Sequence, residues 1–463
     1  MPQPVEPSPS AAPRLRRELG LWNLIIIGMV IIQPTAPMGI YGVISNKASG
    51  HVVTTILIAM VAMLLTAISY GKMAAVYPSA GSAYTYVGHQ MHPALGYITG
   101  WSMVMDYILN PLICIAFCAK AAMNILPGLS FYAWIAIFAV LFTWMNLRGI
   151  KASARVNETL CIGLTAVVVI FLAAVVRFVW QMHSYGPGYF TQPFYDPATF
   201  SSHKIFAGTS VAVLTYIGFD GVSTLSEEVE NPRRNILLAT VLVCLITGLL
   251  SGLEVYAAQL VWGSKPFANG EVESAFANIA RQVGGVVLFQ FINFSLLIAN
   301  AGSAIAAQLA AGRLLYGMGR GNALPRSFFG VIDAKSNIPR NNILAVGGIA
   351  LAGAALLEFF SSRLGGGAYE IGAQAVNFGA FVAFMGVNAA AFLCYGVRAK
   401  QKRFFGLALP LLGFLICAFI WLNLSKTALI LGAVWMAVGI LYGAVKTNGF
   451  RADLVNFDIP NED

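Results

Sequence analysis

Charged residues are scarce in this chain. Only 10% of its 463 residues are Asp, Glu, Lys or Arg, whereas a soluble globular protein has about 25%. Hydrophobic residues make up 58% of the chain, so a soluble fold would have too little polar surface to cover its core. The composition excludes a soluble protein and predicts a polytopic membrane protein. The net charge of +9 is explained by basic residues in cytoplasmic loops, and no nucleic-acid partner is expected.

The sequence also lacks the common catalytic motifs. It contains no P-loop, no nucleophile elbow, no HExxH and no C-x-x-C pair. Its six cysteines lie inside apolar runs without a histidine at ligand spacing, so packing is the preferred interpretation over a metal site or a disulfide. We therefore expect no enzymatic activity, no catalytic residue, no metal and no cofactor.

Long apolar runs dominate the chain instead. A membrane-spanning helix needs about 20 apolar residues, which gives about twelve predicted spans. They lie at residues 21–45, 52–70, 93–125, 131–149, 156–180, 204–228, 236–262, 285–317, 343–360, 371–396, 405–423 and 427–446. Lys and Arg concentrate in the loops on the side of the N-terminus. This bias predicts a multi-pass protein of the cytoplasmic (inner) membrane with both termini in the cytoplasm, and with membrane lipid around it and at the basic run 398–403.

Two of the predicted spans are interrupted near their middle. In the first span, Pro34 and Pro37 stop the helix, because proline lacks an N–H and clashes with the preceding turn. The sixth span is interrupted at Tyr216–Gly221. Broken backbone is tolerated in lipid only beside a polar cavity. Discontinuous helices of this kind are typical of secondary transporters with a site near the membrane midplane.

The positions of the breaks predict the fold class. The starts of the two broken spans are five helices apart, an odd number, so the second set of five helices is inverted relative to the first. We expect an all-α membrane protein with an inverted repeat of about 5+5 helices, discontinuous helices 1 and 6, and two peripheral helices. The expected parts are a disordered cytoplasmic tail (1–20), a transport core (21–400, with repeats at about 21–180 and 204–396), helices 11 and 12 (401–446) and a second cytoplasmic tail (447–463).

Several segments carry a resemblance to a known family. They are Pro78–Tyr86 after span two, Gly100–Tyr107 in span three, Gly218–Arg233 in and after span six, and Gly312–Pro325 after span eight. In order and spacing they resemble the amino acid–polyamine–organocation (APC) transporter superfamily over nearly the whole chain. Within it, Ala67–Lys72 and Leu225–Glu228 resemble the bacterial putrescine importers. The resemblance implies a permease for an amine or an amino acid.

The first break is the expected centre of the substrate site. Amino-acid carriers of this superfamily usually have a Gly-Ser/Ala-Gly turn here, whose N–H groups hold the substrate carboxylate. In this chain Pro37 lacks an N–H and the bulky Met38 occupies the turn, while carbonyl groups remain available to an ammonium. This favours an amine without an α-carboxylate, although Pro37 equally suits the first turn of the second half-helix. The predicted binding residues are Gln33, Thr35, Ala36, Met38 and Gly39.

The second break presents the carbonyl end of its first half-helix, which suits a cation. Tyr216 or Phe219 is expected to face the carbon chain of the cation or its charge. For Asp220, an N-cap of the second half-helix is preferred to substrate contact, although a capping carboxylate still projects its field into the cavity. The predicted binding residues are Tyr216, Ile217, Gly218, Phe219 and Asp220.

Acidic residues outnumber basic ones inside the predicted spans. Asp106, Asp220 and Glu254 are opposed only by Lys120, so the interior is net negative, which suits a cationic cargo or a proton relay. Asp106 and Tyr107 are predicted to bind substrate, with a structural hydrogen bond to a neighbouring helix as the alternative. The role of Glu254 stays open: it is a second anchor for an ammonium group, a coupling site, or a neutral acid that only packs.

The residues do not identify the coupling ion, and a proton is preferred to sodium. Asn300 and Ser303 in span eight are candidates for an ion site against the first break, as in sodium-coupled relatives. Interhelical hydrogen bonding is the commoner use of such residues. Some proton-coupled relatives have a lysine inside span five, which this chain lacks.

A cluster of acids follows span six. Glu227, Glu228 and Glu230 are interpreted as an inner gate that pairs with basic residues after span four, with a solvated loop as the alternative. The expected basic partners are Arg148, Lys151 or Arg155.

Together these features predict a secondary active transporter that imports a small organic cation, such as putrescine, by alternating access. The alternative is a permease for neutral or cationic amino acids. A channel is disfavoured because channels do not usually need two broken helices at inverted positions. A sensor or a partner subunit stays open.

Overall fold

In the computed structural model, the chain is a bundle of helices. The structure describes residues 17–126, 128–148, 150–182, 184–268, 271–272, 274–361, 368–399 and 404–447. The two predicted tails fall almost entirely outside these residues. The α-helices are α1 (Leu21–Ile32), α2 (Ala36–Lys47), α3 (Val52–Val76), α4 (Ala83–Gln90), α5 (Pro93–Ile125), α6 (Phe131–Leu147), α7 (Ile150–Gln181), α8 (Ser202–Ala212), α9 (Pro232–Trp262), α10 (Ala275–Arg320), α11 (Arg326–Phe329), α12 (Arg340–Ser361), α13 (Ala368–Ala391), α14 (Leu409–Leu422) and α15 (Lys426–Lys446).

These helices account for all of the predicted spans. Among the described residues, nine helical segments are long and apolar enough to cross a membrane, and α1 with α2 forms a tenth, bent span. Two shorter apolar helices, Phe131–Leu147 and Gly406–Leu422, match the predicted fourth and eleventh spans. The chain is therefore an all-α, multi-pass membrane protein. The short helix α4, which follows the Pro78–Gly81 turn, is an element that the hydropathy pattern did not predict.

The first span breaks where its prolines predict. Helix α1 ends at Ile32, α2 begins at Ala36, and their axes differ by 41°. Between them Gln33 has a φ of 73°, which is uncommon for a residue with a Cβ and is a form of backbone strain that concentrates at functional sites. Pro37 lies in the first turn of α2, where its missing N–H leaves no helical hydrogen bond unmade.

The sixth span breaks at a glycine. After α8 the chain passes through a 3-10 turn and reaches Gly218, whose φ is 118°. A Cβ at Gly218 would lie 2.5 Å from the Ile31 side chain, so both the backbone angle and the approach of α1 require glycine. The second half, Phe219–Glu228, is a 3-10 helix. The preferred interpretation of Asp220 as its N-cap is wrong: Gly218 occupies that position, and Asp220 lies in the first turn.

The two broken spans cross antiparallel. Helix α1 packs against the 3-10 helix Phe219–Glu228, whereas α2 packs against α8. At one end, the N–H of Leu19 donates to the carbonyl of Glu228 at 3.0 Å. At the other end, a Cβ on Gly208 would lie 2.7 Å from Ala48. Each half of one span therefore meets the opposite half of the other, as an inverted repeat requires.

The remaining helices support this pair. Helix α9 packs along α3, and α5 packs against α10 and α13. Small residues allow these close approaches: a Cβ on Gly248 of α9 would lie 2.5 Å from Met60 of α3. We call the membrane side on which α1 begins and α15 ends the terminal side, and the opposite side the distal side.

Candidate substrate-binding site

A cavity of about 90 Å³ lies between the two broken spans. One water needs roughly 10–15 Å³ on this measure, so the cavity has room for about six to nine waters or a ligand of similar size. Its walls come from spans 1, 3, 6, 8 and 10, and they consist of Ile31, Ile32, Gln33, Ala36, Ile40, Asn110, Ile113, Cys114, Leu214, Ile217, Ser303 and Val376.

The polar wall of the cavity is uncharged. Ser303 Oγ donates to the carbonyl of Ile31 at 2.7 Å, and the Cys114 thiol donates to Asn110 Oδ1 at 3.5 Å. Gln33 at the end of α1 and Leu214 beyond the end of α8 also line the cavity. Helix C-termini carry a partial negative charge. Two of them thus meet at a site whose other walls are aliphatic, an arrangement that favours a cation with a hydrocarbon body.

The first break offers few N–H groups to an anion. Pro34 and Pro37 have none. The N–H of Ala36 donates to the Gln33 carbonyl, and the N–H of Met38 donates to the Thr35 carbonyl, both at 3.0 Å. A substrate carboxylate would therefore compete with hydrogen bonds that the break already makes within itself.

A buried carboxylate lies one layer behind the cavity. Asp220 is 1% exposed, and Tyr107 Oη donates to its Oδ2 at 2.6 Å. Its Oδ1 has no hydrogen-bond partner among the described residues. The adjacent Gly221 would place a Cβ 3.0 Å from Ile31, a residue of the cavity wall. Asp106 is also buried and lies close enough to feel the charge of Asp220.

Only part of the predicted site lines the cavity. Gln33, Ala36, Ile217 and Ser303 do so, and Gly39 is half-buried one turn beyond Ala36. The other predicted residues are buried away from it: Thr35, Met38, Asp106, Tyr107, Tyr216, Gly218, Phe219, Asp220, Glu254 and Asn300. Their roles in binding or coupling stay predictions.

Several of these buried residues have structural partners. Tyr216 Oη donates to the Ile56 carbonyl at 2.9 Å, and Phe219 packs edge-on against Tyr70. Asn300 Nδ2 donates to the Leu296 carbonyl of its own helix at 2.8 Å.

Sequence reasoning missed two polar residues of the wall, Asn110 and Cys114. The available signal was the Asn110-Pro111 pair inside span three, which marks a polar stretch in an apolar helix. Lys120, the one base expected inside the spans, lies 3.5 Å from Glu358 of α12, an acid missing from the list of span acids.

Two ion pairs lie on the terminal side of the broken sixth span. Arg320 holds Glu227 through two hydrogen bonds of 2.6 and 2.9 Å. Arg313 holds Glu228 through two of 2.5 and 3.1 Å, and its own side chain is fully buried. Both pairs tie the 3-10 helix of span 6 to the end of α10.

Glu227 and Glu228 thus pair with α10, and the expected pairing with Arg148 was wrong. Arg148 stacks over the Trp144 ring, 4.2 Å from its centroid. The side chains of Lys151 and Arg155 lie outside the described residues. A Cβ on Gly39, in the first turn of α2, would have no atom within 4 Å.

Two broken helices that cross around a cavity within a multi-pass bundle are typical of a membrane transporter. The profile of the amino acid permease family matches residues 24–456, and the chain belongs to this family, within the APC superfamily. Its members are permeases and not enzymes. The predicted resemblance and the absence of an enzymatic class are thus confirmed.

Relatives of known function include carriers of different cargo. The chain is 32% identical to the low-affinity putrescine importer PlaP of Escherichia coli K12, over 96% of both chains. It is 25% identical to the branched-chain amino acid permease BcaP of Lactococcus lactis, over 90% of this chain and 92% of the relative. It is 23% identical to the methylthioribose transporter of Bacillus subtilis, over 93% and 94%.

Proposed function

We propose that this chain is a secondary active transporter that imports a small organic cation, a putrescine-like amine or polyamine, across the cytoplasmic (inner) membrane by alternating access. The terminal side is then the cytoplasmic side, because the basic loop residues concentrate there. The observation that carries the proposal is the first break: prolines remove N–H groups, and internal hydrogen bonds use those of Ala36 and Met38, whereas each carbonyl oxygen there keeps a second lone pair for a ligand.

The walls of the cavity suit a diamine. An ammonium group needs acceptors, which the carbonyl groups at the ends of α1 and α8, Gln33 Oε1 and Asn110 Oδ1 supply. The methylene chain contacts the aliphatic side chains of Ile113 and Val376. Asp220 and Asp106 act through their field from behind the wall, since charges interact over longer distances in a low dielectric.

Alternating access requires the terminal side to open. In this proposal the Glu227–Arg320 and Glu228–Arg313 pairs are broken when the cargo leaves toward the cytoplasm. A coupling ion, a proton in preference to sodium, or the membrane potential supplies the driving force. The half-exposed apolar helices contact membrane lipid throughout.

A permease for neutral or cationic amino acids is the second candidate. The similarity to BcaP supports it, as does the uncharged, hydrogen-bonding wall of Gln33, Asn110 and Ser303. An α-amino acid differs from an amine in its carboxylate, so the first break separates the two candidates.

The first test compares ligands that differ only in that carboxylate. We expect 1,4-diaminobutane to raise the melting temperature of the purified protein and ornithine, its α-carboxylated counterpart, to raise it less. A ligand at 100 times its Kd stabilises the folded state by about 2.7 kcal/mol, which such a scan resolves. 1-Aminobutane reports the contribution of the second ammonium. If ornithine or leucine stabilises the protein more than any diamine, the amino acid candidate is correct.

The second test uses a cysteine of the cavity wall. A cationic methanethiosulfonate reagent is expected to react with Cys114 and to abolish uptake, because the adduct fills a cavity of about 90 Å³. Bound diamine should slow the reaction, and Cys114→Ser should make uptake resistant. Cys118→Ser is the matched control, since Cys118 lies one turn further along α5, is fully buried and does not line the cavity. If uptake by Cys114→Ser is as sensitive to the reagent as uptake by Cys118→Ser, the reactive thiol is not Cys114.

A further inference from the structure

A second buried carboxylate lies away from the cavity, on α9. Glu254 is 0% exposed, and neither of its carboxylate oxygens has a hydrogen-bond partner among the described residues. None of the ion pairs found there includes it. A charged carboxylate without a partner is very costly in such surroundings, which favours the neutral, protonated form of Glu254.

Glu254 belongs to a polar stripe on one face of α9. Thr247, Ser251 and Glu254 follow one another at intervals of about one helical turn. All three side chains are fully buried, and the hydroxyl oxygens of Thr247 and Ser251 also have no hydrogen-bond partner among the described residues. Buried polar groups are normally satisfied. A run of unsatisfied ones that ends at an acid indicates a feature other than packing.

Helix periodicity places the stripe close to the face of α9 that approaches the broken first span. Val243 of α9 approaches α1, with its side chain 2.7 Å from a Cβ on Gly28. Glu254 lies about three turns after Val243 and hence on nearly the same face. At that depth the first span has passed its break and continues as α2, which also packs against α9. Two further buried hydroxyls of the first span, on Thr35 and Tyr41, lack partners among the described residues.

None of the titratable groups described on the helices around α9 forms an ion pair with Glu254. Helix α1 contributes none. The remaining ones are Tyr41 and Lys47 on α2, Tyr70 and Lys72 on α3, Glu158, Cys161 and Arg177 on α7, Asp220, Glu227 and Glu228 on the 3-10 helix, and Arg281, Arg313, Tyr316 and Arg320 on α10. Asp220 lies near Cys244, which precedes Glu254 on α9 by about 15 Å of helix. The two acids therefore occupy separate places in the bundle.

We propose that Glu254 is the proton-binding group that couples transport to the proton gradient. The proposal rests on the proposed function and assigns its coupling site. A proton from water on the distal side forms an O–H bond with one carboxylate oxygen, which neutralises Glu254 and lets it be buried against α2. When the angle of the break changes, the packing of α2 on α9 changes with it. The O–H bond then breaks, and the proton passes to water on the terminal side.

The test separates coupling from binding in proteoliposomes whose membrane potential is held at zero. The wild type is expected to accumulate radiolabelled 1,4-diaminobutane several-fold when the outside is made acidic. Glu254→Gln, which mimics the protonated acid, should keep counterflow within about threefold of the wild type but lose this accumulation. Glu358→Gln is the matched control, because Glu358 is also a span carboxylate but is half-exposed and paired with Lys120. It should keep both activities.

Each outcome decides a different point. Accumulation by Glu254→Gln, or a wild type that ignores the pH gradient, would overturn the role of Glu254 while leaving amine transport intact. Absence of counterflow in the wild type would overturn the proposed function. In that case infrared difference spectra still test Glu254, because they need no substrate. The wild type should show the carbonyl band of a carboxylic acid that makes no hydrogen bond. Glu254→Gln should lack this band. A wild type without that band contradicts the proposal.

Discussion

Glu228→Gln is expected to destabilise the folded protein by about 3–5 kcal/mol, because it leaves the guanidinium of Arg313 buried without its counter-charge. The Arg313 side chain is 0% exposed, so no water compensates for the lost carboxylate. A thermal or denaturant unfolding scan of the purified variant measures the effect. Glu227→Gln is the matched control, since its partner Arg320 is 18% exposed and already reached by solvent.

Replacing both members of the buried pair should restore much of that stability. A Glu228→Met, Arg313→Met variant leaves no buried charge, and such replacements are often neutral or stabilising. The same variant should have an altered transport cycle, because a closure made of apolar contacts differs in free energy from one made of ions. A Glu228→Gln protein as stable as the wild type, or a double variant no better than the single one, would show that this pair contributes little.

Asp220→Asn is expected to lower counterflow of a diamine by about tenfold or more, which corresponds to a loss of about 1.4 kcal/mol or more of interaction with the cation. The substitution removes the charge behind the cavity but keeps an oxygen that accepts the hydrogen bond from Tyr107. The fold should therefore persist. Counterflow of labelled diamine at matched expression measures the effect.

Two comparisons make the Asp220 result specific. Glu254→Gln should impair counterflow less, because Glu254 lies outside the cavity wall. Tyr107→Phe removes the hydrogen bond but not the charge, so it should fall between the wild type and Asp220→Asn. Wild-type counterflow by Asp220→Asn at normal expression would remove this residue from the site.

The relatives show why the cargo depends on few groups. An amine importer and a branched-chain amino acid permease align with 96% and 90% of this chain, respectively. The shared fold supplies helix ends and a cavity, and function depends on the groups placed there. In this chain Pro37 and the internal hydrogen bonds of Ala36 and Met38 remove the N–H groups on which a carboxylate would depend.

The spans and the breaks were predictable because they follow from local rules. Apolar runs have the length that a bilayer requires. Pro34 cannot continue α1, and Gly218 permits a backbone angle that other residues avoid. The conformation of the second half of span 6 was less predictable: Phe219–Glu228 is a 3-10 helix, and Asp220 does not cap it. The helical preference of this segment is weak, so the packing of α1 against the turn at Gly218 decides its conformation.

By itself the sequence determined the class of protein, the positions of the apolar helices and the sites of the two breaks, because hydropathy and proline act on neighbouring residues. Only the tertiary structure decided which groups meet. Glu228 pairs with Arg313, 85 residues away, and Tyr107 donates to Asp220, 113 residues away. Such pairs depend on how the helices pack and rotate, and no local pattern encodes that. For the same reason Asn110 and Cys114 line the cavity while Tyr216 and Phe219 are not part of its wall.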